Sequence, residues 1–304
     1  MGKTAFVFPG QGSQYVGMAK DIYEKSPQSK ELIDNCDTVL GTGLSDVMFN
    51  GPEEELKKTS ITQPAIYLHS IVLEKLIKSA KPDAVAGHSL GEYSALVAAG
   101  SLSVENALKL VRARGEAMLQ AGIEKPGTMA AVIGLEPQKV EEACSEASEK
   151  GIVQCANFNS PGQIVISGSV DGVHAAMELS KAKGAKMVKE LVVSGAFHSP
   201  LMASAIEKLS AKLDATEFND ASVPVYANVT ARPVHDKNEI KKLLLDQLSA
   251  PVRWEETIIN MIADGVTEFI EVGPGKVLQG LIKRIDSSVS ISGIDNYEAV
   301  ERYF

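Results

Sequence analysis

A serine between two glycines, in the segment GHSLG at residues 87–91, is the stretch of this sequence best suited to covalent chemistry. A short apolar run at residues 83–87 precedes it, and an alanine-rich run with helical spacing begins just past Ser89. GxSxG between a strand and a helix is typical of a nucleophile elbow, because the glycines permit a sharp turn that exposes the serine hydroxyl. The spacing predicts that Ser89 is a nucleophile, the alternative being a serine that only caps the helix.

A serine nucleophile needs a base, and the chain has five histidines. His88 adjoins the serine on a sharp turn, where neighbouring side chains usually point apart. His69, His174 and His235 lie in segments that suit packing or solvation. His198 follows a strand-like run and a Gly-Ala turn, which would direct it toward a cleft. The pattern makes His198 the best candidate base without deciding that it acts as one.

The turn after the first strand-like run, FPGQGSQ, is a candidate oxyanion hole. Glycines on both sides of Gln11 let its backbone N–H approach a ligand closely. With the N–H of Leu90, the residue after the serine, it would supply two donors to a developing oxyanion. A phosphate-binding loop or a plain turn remains the alternative.

Arg114 occupies an unusual place in a helical stretch that begins near residue 103. At about 100° per residue it projects into the apolar arc, whereas Arg112 lies at the edge of that arc. The arc contains Val104, Ala107, Leu108, Val111, Gly115 and Met118. A guanidinium in an apolar interior needs an anion. Either an internal carboxylate or an anionic substrate is expected to meet it.

The elements that must position these residues alternate between strand-like and helical runs, which is typical of a parallel sheet covered by helices. The first strands are predicted at residues 4–8 and 83–87. Further predicted strands and helices follow late in the chain: strands at 223–230, 266–273 and 289–295, and helices at 238–248 and 253–264. We therefore expect an α/β fold whose sheet resumes after an interruption.

The segment that interrupts the sheet has a different order of predicted elements. Residues 127–193 read strand, helix, strand, strand, helix, strand, which is the βαββαβ order of a ferredoxin-like unit. Glycine-containing turns mark its ends near 126 and 195. We predict an inserted subdomain at 126–195 within a catalytic domain made of 1–125 and 196–304.

Charge, cysteine spacing and hydropathy exclude several classes of function and location. The net charge of −9 argues against nonspecific binding to nucleic acid or to anionic membranes. The three cysteines, at positions 36, 144 and 155, lack the spacing of a metal or disulfide framework, so no metal is expected. No window is apolar enough to span a bilayer. We expect a cytoplasmic protein.

Six ordered motifs resemble those of the malonyl-CoA:acyl carrier protein transacylase family, the acyltransferases of fatty acid and polyketide synthesis. They are GQGSQ, GHSLGEYSAL, an arginine 25 positions after the serine, ANFNSPGQ, GAFHSP and EVGPGKVL. The resemblance runs from residue 4 to about residue 284.

The resemblance implies an α/β-hydrolase-like core with a ferredoxin-like insertion. It also implies roles: Ser89 as nucleophile, His198 as general base, the N–H groups of Gln11 and Leu90 as oxyanion hole, and Arg114 as the clamp for the malonyl carboxylate. A backbone carbonyl orients the histidine in this family, and Gln247 occupies that place. The AFH pattern before His198 is similar to that of malonyl-selective members.

The implied substrates are malonyl-CoA and the phosphopantetheine thiol that acyl carrier protein carries, with no other cofactor, and we expect a monomer. An esterase or thioesterase is the first alternative, but it would need a third acid and has little use for an arginine in its acyl pocket. A noncatalytic scaffold that binds carrier proteins is the second. Two lysine-rich surfaces, residues 181–189 and 276–284, would suit an acidic partner, although such clusters are usually just solvated.

Overall fold

A computed structural model describes residues 2–304 as two β-sheets with helices packed against them. The strands are β1 (Lys3–Phe8), β2 (Ala84–Gly87), β3 (Thr128–Ile133), β4 (Val153–Ser160), β5 (Gln163–Gly168), β6 (Met187–Glu190), β7 (Val225–Tyr226), β8 (Pro233–Val234), β9 (Val266–Val272) and β10 (Ser290–Ile294).

The α-helices are α1 (Lys20–Lys25), α2 (Pro27–Leu40), α3 (Leu44–Asn50), α4 (Glu53–Leu56), α5 (Thr59–Leu76), α6 (Gly91–Ala98), α7 (Val104–Glu124), α8 (Pro137–Ala147), α9 (Val170–Ala182), α10 (Ala203–Asp214), α11 (Lys237–Asp246), α12 (Trp254–Ala263), α13 (Val277–Ile285) and α14 (Tyr297–Glu301). A 3₁₀ turn at Pro200–Met202 precedes α10.

The larger sheet has the strand order β10-β9-β1-β2-β7-β8 and is parallel except for β8. Its central strand β1 is buried on both faces over Ala5–Phe8, as expected for a parallel sheet covered by helices on each side. Phe8 pairs with Gly87, so β1 and β2 end at the same edge. The turn that contains Gln11 and the turn that contains Ser89 therefore leave the sheet side by side.

The smaller sheet is antiparallel, with the order β4-β5-β3-β6. Because α8 follows β3 and α9 follows β5, the chain order is βαββαβ, and the strand order is that of a ferredoxin-like unit. The expected fold class is confirmed: an α/β protein with one parallel sheet and one antiparallel βαββαβ sheet. The domain boundaries at 126 and 195 remain a prediction.

The strand predicted at 223–230 is wrong beyond Tyr226, where β7 ends. The chain turns instead of extending, because Ala231 adopts a positive φ of 54° and its N–H donates to Ala227 O at 2.8 Å. The short strand β8 then pairs back onto β7. This turn frees the side chain of Asn228 to reach the end of β2, a contact the sequence pattern did not indicate.

Helices α5 and α7 pack closely, and this packing places Arg114. A Cβ at Gly115 would lie 2.9 Å from Thr59 O, so only glycine allows this approach. Pro64 lies inside α5 and lacks the N–H that would pair with the carbonyl of Ser60. Arg112 Nη1 donates to that carbonyl at 3.0 Å. The contact satisfies the carbonyl freed by proline and joins the two helices.

Within residues 2–304, no helix combines the length and apolar character needed to cross a membrane.

Candidate active site

The turn between β2 and α6 is a strained elbow centred on Ser89. Ser89 has a φ of 51°, in the left-handed region that costs a non-glycine residue about 1–2 kcal/mol. A Cβ at Gly87 would lie 1.9 Å from the carbonyl carbon of Gly91, and one at Gly91 would lie 2.0 Å from Phe8 O. Both flanking glycines are therefore required by sterics, and the turn has the geometry expected of GxSxG.

Ser89 and His198 lie in hydrogen-bond contact although 109 residues separate them. Ser89 Oγ is 2.9 Å from His198 Nε2, and His198 Nδ1 is 2.7 Å from the backbone oxygen of Gln247. Because that oxygen can only accept, the proton sits on Nδ1, and Nε2 is left to accept from the serine. The histidine has a backbone carbonyl as its second partner, where an esterase triad would have a carboxylate.

The position of His198 is fixed from its backbone side as well. Its φ is 57°, and its carbonyl accepts a hydrogen bond of 2.8 Å from Gln154 Nε2. The same nitrogen donates to Ser249 O at 2.9 Å. A residue of β4 thus ties together the loop that carries the histidine and the loop that follows Gln247.

Burial and the positive charge of Arg114 lower the pKa of His198 to about 3. The free imidazole is therefore neutral at physiological pH and able to accept a proton. It gains a proton only when serine attacks, at the moment when negative charge develops beside it.

Arg114 lies on the buried face of α7, with 1% of its surface exposed, and its guanidinium reaches the serine. Nη2 donates to Ser89 Oγ at 3.0 Å and to Gln247 Oε1 at 2.9 Å, while Nη1 donates to Gln63 Oε1 at 2.8 Å. Within residues 2–304 no carboxylate forms an ion pair with Arg114. The sequence leaves two possible partners for Arg114, an internal carboxylate and an anionic substrate. No internal carboxylate among the described residues pairs with it.

A polar network lies beneath the elbow. Asn228 Oδ1 accepts from the Ser89 N–H at 2.6 Å, and Asn228 Nδ2 donates to Gly87 O at 2.7 Å. Glu92 Oε2 accepts from the Asn228 N–H at 3.0 Å and from Gln247 Nε2 at 2.9 Å. Burial raises the pKa of Glu92 to about 7. No sequence pattern indicates a role at the site for Asn228, Glu92 or Gln63, because their hydrogen-bond partners come from distant segments.

The two expected oxyanion donors lie at the same cavity as the serine. Leu90 and Gln11 both line it, and a Cβ at Gly10 would approach His88 O to 2.4 Å, so the two turns nearly touch. Among residues 2–304, no protein acceptor takes the N–H of Leu90 or of Gln11. Both donors are thus available to a ligand.

A cavity of about 250 Å³ joins these groups and lies between the two sheets. Ser89, His198 and Arg114 lie on its larger-sheet side, and Met129 and Val165 on its smaller-sheet side. Apolar side chains, among them Phe197 and Met118, also line it. Such a pocket suits a small acyl group beside a charged anchor.

The remaining histidines lie in structural or surface positions. His88 is half-buried, points away from the serine to Asn159 Oδ1 at 2.8 Å, and packs on the ring of Trp254. His69 Nε2 contacts Asp295 O, and His174 is near Glu190 on the surface. In the part of the chain that the structure describes, no group of three or more His, Cys, Asp or Glu side chains could hold a metal ion.

Comparisons with known proteins agree with this geometry. The acyl transferase domain family matches residues 5–302. A malonyl CoA-acyl carrier protein transacylase of Bacillus subtilis (strain 168) is 50% identical over 304 residues, which cover 99% of this chain and 96% of the relative. A relative of the same name from Staphylococcus aureus (strain MRSA252) is 45% identical over 302 residues, covering 99% and 98%.

Solved structures of the same kind of protein share the fold closely. A crystal structure of an acyl carrier protein S-malonyltransferase from Vibrio cholerae has a TM-score of 0.94 at 42% identity and covers 99% of both chains. A type II PKS acyl-carrier protein in complex with its malonyl-transacylase supplies another match, with a TM-score of 0.95 at 40% identity over 99% of this chain and 98% of that one. The chain belongs to the malonyl CoA-acyl carrier protein transacylase family of acyl transferases.

Proposed function

We propose that this protein transfers the malonyl group of malonyl-CoA to the phosphopantetheine thiol of acyl carrier protein, through a malonyl ester on Ser89, and so supplies fatty acid biosynthesis. The observation that carries the proposal is the guanidinium of Arg114. It is buried, it lies 3.0 Å from Ser89 Oγ, and within residues 2–304 it has no ion-pair partner. A buried cation beside a nucleophile favours an acyl group that ends in a carboxylate.

In the first half-reaction, His198 Nε2 takes the proton of Ser89 as the serine oxygen attacks the thioester carbonyl. The N–H groups of Leu90 and Gln11 donate to the oxyanion that forms. The carbonyl of Gln247 holds the imidazolium in place through Nδ1. Coenzyme A leaves as a thiol, with the proton from His198.

In the second half-reaction, the pantetheine thiol of acyl carrier protein attacks the malonyl ester, and the same groups act in reverse. Arg114 holds the malonyl carboxylate in both halves, so the ester waits in one orientation. A thiolate is a better leaving group than an amine, which reduces the demand on the base. This explains why a carbonyl at His198 Nδ1 suffices where a protease has a buried aspartate.

The acyl group moves between sulfur and oxygen without a change of oxidation state, so the proposed reaction uses no cofactor other than the pantetheine arm of the carrier. Every proposed group comes from one chain, which supports a monomer as the working unit. The three cysteines are buried and free, which supports a reducing, cytoplasmic setting.

The test is transfer from malonyl-CoA to holo acyl carrier protein, followed by mass spectrometry of the carrier and by release of free malonate. We expect malonyl carrier in excess of malonate. Malonate as the main product would favour the thioesterase alternative. A Ser89→Ala variant that remains folded and still transfers would contradict the proposed intermediate.

A further inference from the structure

The guanidinium of Arg114 is held by neutral groups. Two of its three protein acceptors are amide oxygens, those of Gln63 and Gln247, and the third is the hydroxyl of Ser89. An amide oxygen orients an arginine without neutralising its charge, whereas a carboxylate does both. Because its protein partners are neutral, Arg114 keeps a positive charge that can bind an anionic group of a substrate.

Gln63 is built to hold this contact. It is 1% exposed, on the face of α5 that packs against α7. Its Nε2 donates to Met118 Sδ at 3.4 Å, which leaves Oε1 to accept from Arg114 Nη1. The close helix packing at Gly115 keeps the two elements at this separation. The amide has one orientation that satisfies both neighbours.

Gln247 separates the carboxyl group of Glu92 from the guanidinium of Arg114. Glu92 Oε2 accepts from Gln247 Nε2 and from the Asn228 N–H, and Gln247 lies between it and the arginine. Tyr93, whose ring centroid is 5.8 Å from Arg114 Cζ, adds a face that attracts cations but carries no charge. The site thus surrounds the arginine with dipoles and excludes direct contact with an acid.

We propose that Gln63 is a positioning residue that determines acyl specificity: its neutral amide aims the Arg114 fork while leaving the guanidinium charge for the carboxylate of the substrate. This inference rests on the proposed function. A glutamine at position 63 has two effects on Arg114. Its amide oxygen fixes the orientation of the guanidinium, and its lack of charge leaves the guanidinium charge unpaired.

Gln63→Glu tests whether the neutrality of Gln63 leaves the Arg114 charge free for the substrate. The new carboxylate has nearly the same shape and pairs internally with Arg114, so it competes with the malonyl carboxylate. We expect acylation by malonyl-CoA to fall about 10-fold to 150-fold, the factor of a hydrogen bond to a charged group, with acylation by acetyl-CoA little changed. Gln138→Glu, the same change on the exposed surface of α8, is the matched control and should leave both rates unchanged.

Gln63→Met tests whether the amide oxygen of Gln63 orients the Arg114 guanidinium. Methionine fills a similar volume but offers no amide oxygen and no charge. The ratio of malonyl to acetyl acylation should fall about 2-fold to 10-fold, the factor of one ordinary hydrogen bond, and less than in Gln63→Glu. Thermal unfolding of each variant shows that it is folded. A merely structural role for Gln63 would lower both rates together and leave the ratio alone.

These experiments distinguish a failure of the role proposed for Gln63 from a failure of the proposed malonyl transfer. An unchanged ratio in folded Gln63→Glu, or a larger drop in Gln63→Met than in Gln63→Glu, would overturn the inference while the wild type still forms a malonyl ester. If Gln63→Glu does not fold, an unchanged ratio in Gln63→Met overturns it. A wild type that forms no malonyl ester would overturn both.

Discussion

Replacing Arg114 by alanine removes the only cation in contact with Ser89 within the described residues 2–304. The lost contact with a substrate carboxylate is charge-assisted and contributes about 1.5–3 kcal/mol, so malonyl transfer should fall about 10-fold to 150-fold. Acetyl transfer has no carboxylate to lose. The variant should therefore change the preference between acyl groups and not simply reduce activity.

The structure also sets the expected change in stability. Alanine leaves two buried amide oxygens, of Gln63 and Gln247, without their donor, at about 1–3 kcal/mol each. Removal of a guanidinium whose pKa is lowered by burial offsets part of that loss. No carboxylate is left stranded in direct contact, so the loss should be smaller than the about 3–5 kcal/mol typical of a broken buried ion pair.

The assay measures acylation by malonyl-CoA and by acetyl-CoA beside thermal unfolding. Arg112→Ala is the matched control, because Arg112 lies on the same helix and contacts Glu116 and Ser60 O outside the cavity. It should affect both substrates equally and weakly. Equal losses for malonyl and acetyl in Arg114→Ala would refute the carboxylate clamp.

Three further predictions concern the groups around Arg114. The kcat/KM of acylation should stay level as pH falls through 6.5 toward about 5, because burial and Arg114 keep the pKa of His198 near 3. Gln154→Leu should slow malonyl and acetyl acylation by the same factor, up to about 30-fold, because two hydrogen bonds that hold the His198 loop are lost. Glu92→Gln should lose less stability than the wild type as pH rises from about 4.5 to about 7. The folded state favours protonated Glu92, with its pKa raised to about 7, so the wild type loses up to about 3 kcal/mol across that range.

Each of these predictions has a contrary result. A fall in kcat/KM with a midpoint near 6.5 would mean that the imidazole titrates as if exposed. A selective loss of malonyl acylation in Gln154→Leu would place that residue in specificity and not in support of His198. Parallel curves of stability against pH for the wild type and Glu92→Gln would mean that the carboxyl is charged in the folded protein.

The parts of the site carried by local chemistry could be predicted from the sequence. Two glycines around Ser89 define an elbow because sterics alone require them, and the helical projection of Arg114 places it on a buried face. The sequence pattern makes His198 only a candidate base, and the resemblance supplies its role, because its contact with the serine depends on the approach of a segment 109 residues away.

The supporting residues could not be predicted for the same reason. Gln63 sits in an apolar helical run, and nothing in that run indicates that Arg114 will face it. Asn228 falls in a stretch whose alternation favours a strand, but the chain turns after Tyr226 and the Asn228 side chain reaches the end of β2. Such polar contacts are set by tertiary packing, which overrides local propensity.

We propose that Ser89 carries the malonyl group, and intact-mass spectrometry with peptide mapping after brief exposure to malonyl-CoA detects this ester. We expect one added malonyl group, located on Ser89, absent from Ser89→Ala and removed by holo acyl carrier protein, which then carries it. A malonyl group on another residue, or transfer to the carrier by folded Ser89→Ala, would contradict the role of Ser89 as the nucleophile.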